Sequence, residues 1–143
     1  MTSPTLQAEQ IPPTINEQSD NAIKWILALF SGKYQQCQES LFKFTDNGDP
    51  SYCCLGVAEK ILGNDPRKMK IEGLAWLTPK SQALLGLVND RGVDCDGLND
   101  TEELNFKQIA IHLLNNEYHW SLHELWMLIR EKASKNKQLA KYI

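Results

Sequence analysis

Apolar positions set the first element. Ile23, Ile26, Leu27 and Phe30 recur at helical spacing behind Asp20 as a capping residue, and Ser31-Gly32 stops the helix. Trp25 falls off that stripe, so it is expected to cover a neighbouring element or to stand partly exposed. The period then changes. Leu41, Phe42 and Phe44 favour strand, and Thr45 to Pro50 is dense turn chemistry, which predicts a short hairpin with Ser51 and Tyr52 opening its second arm. Cys53, Cys54, Leu55, Gly56, Val57, Ala58, Ile61 and Leu62 predict a buried helix of about ten residues. Its small residues let another backbone lie close.

Met69 to Leu77 reads as a hairpin or an irregular loop around Gly73. Thr78-Pro79 starts a helix that runs through Leu84, Leu85, Leu87 and Val88 and breaks at Asn89-Asp90-Arg91-Gly92. Residues 89–104 read as a solvated acidic loop. Asn105 with Gln108, and Ser121 with Glu124, are capping boxes for two more helices. Residues 1–20 are polar and proline-bearing and read as a flexible arm, with residues 21–143 as a single globular domain. The expected fold class is mainly α, or α+β with a small sheet: about five helices with one or two short β-hairpins.

Length and charge narrow the function. With 143 residues and a formal net charge of −3, one self-sufficient core is expected and a broad nucleic-acid face is not. There is no apolar run of about 18 residues, so no spanning helix is expected. Met1 to Asp20 lacks the apolar middle of a secretory signal, which gives a cytoplasmic expectation and reduced thiols.

Candidate chemistry centres on a few groups. Cys37, Cys53, Cys54 and Cys95 contain no Cys-x-x-Cys pair, so a zinc site is not expected, and Cys53-Cys54 reads as small core filler. The acids of Asp90 to Glu103 fail the EF-hand pattern, because counting back from Gly97 puts Gly92 at the first ligand position. His119 and His123 lack the His-Glu-x-x-His order of a metalloprotease. No metal and no cofactor is therefore expected. A thiol at a helix start is also the setting of a cysteine nucleophile. Cys54-Leu55-Gly56-Val57 resembles the Asp-Cys-Ser-Gly-Leu-Val start of NlpC/P60 cell-wall peptidases, which implies a hydrolase using Cys54. Those enzymes carry their histidine on a later strand, whereas His112, His119 and His123 fall in or beside predicted helices.

A second resemblance covers more of the chain, about residues 22–114. Trp25-Ile26-Leu27-Ala28-Leu29-Phe30-Ser31-Gly32-Lys33-Tyr34-Gln35-Gln36 is followed by Tyr52-Cys53-Cys54-Leu55-Gly56-Val57, then Leu87-Val88-Asn89-Asp90-Arg91-Gly92, then Asn105-Phe106-Lys107-Gln108-Ile109-Ala110. This order resembles a group of small, largely uncharacterised phage and prophage proteins. The resemblance implies a viral or mobile-element setting, in the host cytoplasm, and supplies no catalytic residues.

Together these features give the expectation of a non-enzymatic binding protein. It would sequester a nucleotide-like immune signal or block a host defence protein, with a homo-oligomer supplying pocket walls. Trp25, Tyr34, Tyr52, Asn89, Asp90 and Arg91 are the expected ligand-binding residues. A structural or scaffolding phage protein is the further alternative, marked by an apolar patch around Leu122 and Trp126.

Overall fold

The computed structural model describes residues 12–74, 76–87 and 93–133. In chain order the elements are α1 (Ile15–Ser31), β1 (Phe42–Phe44), β2 (Pro50–Tyr52), α2 (Cys54–Ile61), α3 (Pro66–Ile71), α4 (Pro79–Leu85), α5 (Val93–Asp100), α6 (Phe106–His112), a π-helical turn (Leu113–Glu117) and α7 (Leu122–Ala133). The described residues are thus mostly helical with one antiparallel hairpin, in which Phe42 pairs with Tyr52 and Phe44 with Pro50. No described helix is long and apolar enough to cross a membrane.

The central helix, α1, packs against α2, α4 and α6. It starts earlier than its apolar stripe suggests. Thr14, not Asp20, is the N-cap: its hydroxyl accepts from the Glu17 amide at 3.1 Å, and the Glu17 carboxylate accepts from the Thr14 amide in return. Residues 15–20 of the expected arm are therefore helical, and residues 1–11 lie outside the described residues. These first turns are held by polar groups. Gln18 Nε2 donates to the Ala83 carbonyl and Asn21 Nδ2 to that of Leu84, both at 2.9 Å, so no apolar periodicity marks them. Gly32 ends α1 in the left-handed conformation at φ 76°.

Three further expectations are corrected. The segment read as a hairpin or loop from Met69 begins inside α3, where Asp65 caps, Pro66 fills the first turn and Met69 faces the core. Helix α4 stops at Gly86, φ 72°, before the Asn89–Gly92 breaker, which lies outside the described residues. The acidic stretch is not a loop from 93 to 100 but the helix α5. Its inner face is Cys95, Leu98 and Asn99, at i, i+3 and i+4, with 1%, 7% and 0% exposure.

A buried acid ties α2 to α4. Glu59 is fully enclosed and accepts from Asn64 Nδ2 at 2.8 Å, from the Thr78 amide at 3.2 Å and from the Ser81 hydroxyl. Three donors replace the water a buried carboxylate loses.

Candidate functional site

The thiol doublet lies at the middle of the fold. Cys53 is the N-cap of α2, and its sulfur accepts from the Gly56 amide at 3.4 Å. The Cys54 amide is taken by Asn99 Oδ1 at 3.2 Å, and the Cys54 thiol donates to the Cys95 carbonyl at 3.2 Å. Trp25 closes the other side, its indole N–H bonded to the Cys54 carbonyl at 3.0 Å. The helix start that would activate a nucleophile is thus already capped and dry.

The electrostatics agree. Burial pushes the Cys53 thiol up to about 12, its bonds from Gly56 and Leu55 offsetting only part of the cost. Burial raises Cys54 well above the ordinary thiol value, and neighbouring Cys95 adds to this. Cys37 is raised as well, again chiefly by burial. The core-filler expectation for Cys53-Cys54 therefore matches their 1% and 0% exposure. We predict that iodoacetamide at pH 8 modifies Cys53 and Cys54 at least ~100-fold more slowly in the native protein than in denaturant. Mass spectrometry of the alkylated peptides reads this directly. Rapid native labelling of either would restore the cysteine-hydrolase reading.

Asn99 is the polar hub of this region. Its Nδ2 donates to the Cys37 carbonyl and to Asp100 Oδ1, each at 2.8 Å, while its Oδ1 accepts from Gln36 Nε2 at 2.9 Å and from the Cys54 amide. One side chain thereby joins α5, α2 and the strand-like segment at 35–37.

The expected ligand-binding residues are only partly assembled. Trp25 is 0% exposed, on the core side of α1, and offers no face to a ligand. Tyr34 and Tyr52 do meet, edge to face at 5.6 Å, and Tyr52 also packs edge to face on Phe42 at 5.5 Å. Tyr52 is buried, so this contact is core packing at the hairpin. Asn89, Asp90 and Arg91 lie outside the described residues. Among the described residues no group of three or more His, Cys, Asp or Glu side chains is placed to hold a metal ion.

An accessible feature lies elsewhere, on α7. The capping box predicted for Ser121 and Glu124 forms: the Ser121 hydroxyl accepts from the Glu124 amide at 3.0 Å and Glu124 Oε1 from the Ser121 amide at 3.4 Å. Leu125 and Ile129 turn inward, whereas Leu122, Trp126 and Met127 stand 65%, 49% and 53% exposed. An open groove of about 640 Å³ lies at this helix, its described lining being the apolar Trp120, Met127 and Leu128 with the polar His123, Glu124, Arg130 and Glu131.

Trp120 is placed by an irregular approach. The π-helical turn ends with the Tyr118 amide on the Leu113 carbonyl at 2.9 Å, and the next turn closes from the Trp120 amide to the Leu114 carbonyl at 2.8 Å. His119 between them takes φ 55°, unusual for a residue with a Cβ. The result stacks Trp120 on Tyr118 at 5.1 Å, with Tyr118 anchored by its hydroxyl to the Leu85 carbonyl at 2.8 Å.

Set against family models, curated proteins and solved structures, the chain matches none.

Reading the sequence singled out Leu122 and Trp126 as an apolar patch but not Met127. The available signal was the width of the apolar arc. Leu122, Leu125, Trp126, Met127, Leu128 and Ile129 span more of a helix surface than one core contact can cover.

Proposed function

We propose that this chain is a non-enzymatic interaction protein of the phage type, holding another protein chain against α7 in a structural or blocking role. One observation carries the reading: Leu122, Trp126 and Met127 face solvent on a helix whose Leu125 and Ile129 already satisfy the core. Exposed Trp and Met beside Arg130 match the composition enriched at interfaces, with charged groups at the rim. The sealing of Cys53 and Cys54 weighs against the hydrolase.

The test is capture. Immobilised wild-type chain is expected to capture another protein chain from bacterial lysate supplemented with soluble tagged copies of this chain, and Trp126→Asp to lose it by roughly tenfold or more, as truncated hot spots do. Circular dichroism should stay unchanged, because Trp126 is half exposed. Equal capture by wild type and Trp126→Asp would remove the support for this reading.

A second reading keeps the groove and changes the occupant. The Tyr118-backed face of Trp120, with His123 and Arg130 beside it, suits a ring-and-phosphate ligand such as a nucleotide-like signal. Calorimetry with cyclic and ADP-ribose-derived nucleotides separates the two. Heat that disappears in Trp120→Ala favours the small ligand, and its absence favours a protein.

A further inference from the structure

The side groups of α7 are sorted by chemistry. Successive helical residues turn by about 100°, so with Met127 at the centre of the outer face His123 and Arg130 fall roughly 40–60° to one side. Glu124 and Glu131 fall by the same amount to the other. All four are exposed. Each edge repeats after seven residues, the period at which two helices stay in register along a seam. The outer face of α7 is thus an apolar centre with a donor edge (imidazole and guanidinium) and a carboxylate edge.

That layout selects its own complement. Two such helices laid antiparallel about a twofold axis put donor edge on donor edge and carboxylate on carboxylate. Laid parallel, with the axis running along the helices, each donor edge meets the other's carboxylate edge. His123 then lies across from Glu124 of the other copy, Arg130 across from its Glu131, and Met127 against Met127. The rule that opposite charges flank a seam and like charges oppose its formation favours the parallel pair.

We infer that the chain seated on α7 is a second copy of this protein, with its α7 parallel and the two chemically opposite edges facing. The inference rests on the reading of α7 as a docking face and names its partner. The seam is short, so the dimer is weak, with a dissociation constant roughly micromolar or higher. Trp126 flanks the donor edge, where it widens the apolar contact.

Sedimentation velocity of the full chain over a concentration series tests it. Wild type is expected to shift from monomer to dimer, less so at high salt, and Met127→Glu to remain monomeric. Arg130→Glu should weaken the dimer by about tenfold, since the twofold removes two facing pairs at once. The exchange Arg130→Glu with Glu131→Arg should restore it, because a pair of opposite sign again faces across the seam. A monomer at every concentration, a dimer indifferent to Met127→Glu, or one strengthened by Arg130→Glu as an antiparallel pair requires, would each overturn the inference. The docking-face reading fails separately, when capture by Trp126→Asp equals that of wild type. A monomer whose capture still depends on Trp126 refutes only the choice of partner.

Discussion

Gly56→Ala is expected to destabilise the protein by about 3 kcal/mol or more, the upper range for an overpacked core. A Cβ at position 56 would overlap the Leu41 carbonyl oxygen, and would stand 3.1 Å from the Leu41 carbonyl carbon and 3.3 Å from the Tyr52 Cβ. Backbone atoms cannot swing aside as a side-chain tip can. The Leu41 carbonyl is further held by the Cys53 amide at 3.4 Å. The Gly56 amide is committed to the Cys53 sulfur, so sliding α2 outward would break its cap. Relief therefore needs the hairpin and α2 to separate, at the cost of the contacts around Tyr52, Cys53 and Leu55.

Gly97→Ala is the matched control. Gly97 lies within α5 with nothing near its absent Cβ, and alanine there should gain roughly 0.5–1 kcal/mol from helix propensity alone. Urea unfolding of the two variants should move in opposite directions. A Gly56→Ala midpoint within experimental error of wild type would show that α2 and the Leu41 segment do not lie as close as described.

How far this was legible follows from which force shaped each element. The end of α1 at Gly32, the hairpin at 42–52, the α2 segment and the capping boxes at Asn105 and Ser121 all rest on local chemistry, and all could be read. The start of α1 could not, because its first turns are fastened by Gln18 and Asn21 to carbonyls more than sixty residues away. Helix α5 was hidden by its composition. Its acids suggest a solvated loop, and only Cys95, Leu98 and Asn99 spaced along one face reveal the buried side. Trp25 covers a neighbouring element, α2, which is one of its two expected places, and it lies off the main apolar stripe because α1 is covered on several sides, by α2, α4 and α6. Among the candidate site residues, Tyr34 and Tyr52 are neighbours as expected of a cluster, yet their contact belongs to the core. The accessible face of α7 was half visible, since an apolar residue on a helix announces burial or docking without saying which.

Asn99→Ala is the second large loss, expected at about 2–4 kcal/mol, the range for leaving buried partners of a hydrogen-bond network unsatisfied. Truncation strands the Cys37 carbonyl, the Cys54 amide and Gln36 Nε2 together, though Gln36 keeps its bond to the Leu104 carbonyl at 2.7 Å. The Cys54 amide suffers most, since it heads a helix at a fully buried position and no solvent reaches it. Asn99→Asp separates geometry from donor count. Its carboxylate could still accept from Gln36 and Cys54, but it cannot donate to the Cys37 carbonyl, and it would place a second charge beside Asp100. Nearby Asp96 already has its carboxyl raised above the usual range, by burial first and then by Asp100. Asn99→Asp should therefore lose stability as pH rises from the acid range towards neutrality, while Asn99→Ala should lose a similar amount throughout. Chemical denaturation at several pH values reads both. The same variants report on the thiols: with α5 less firmly seated, native alkylation of Cys54 should accelerate while that of denatured protein stays constant. A fully stable Asn99→Ala whose Cys54 remains closed would mean that α5 is held by Cys95 and Leu98 alone, and that the hub is decoration on an apolar contact.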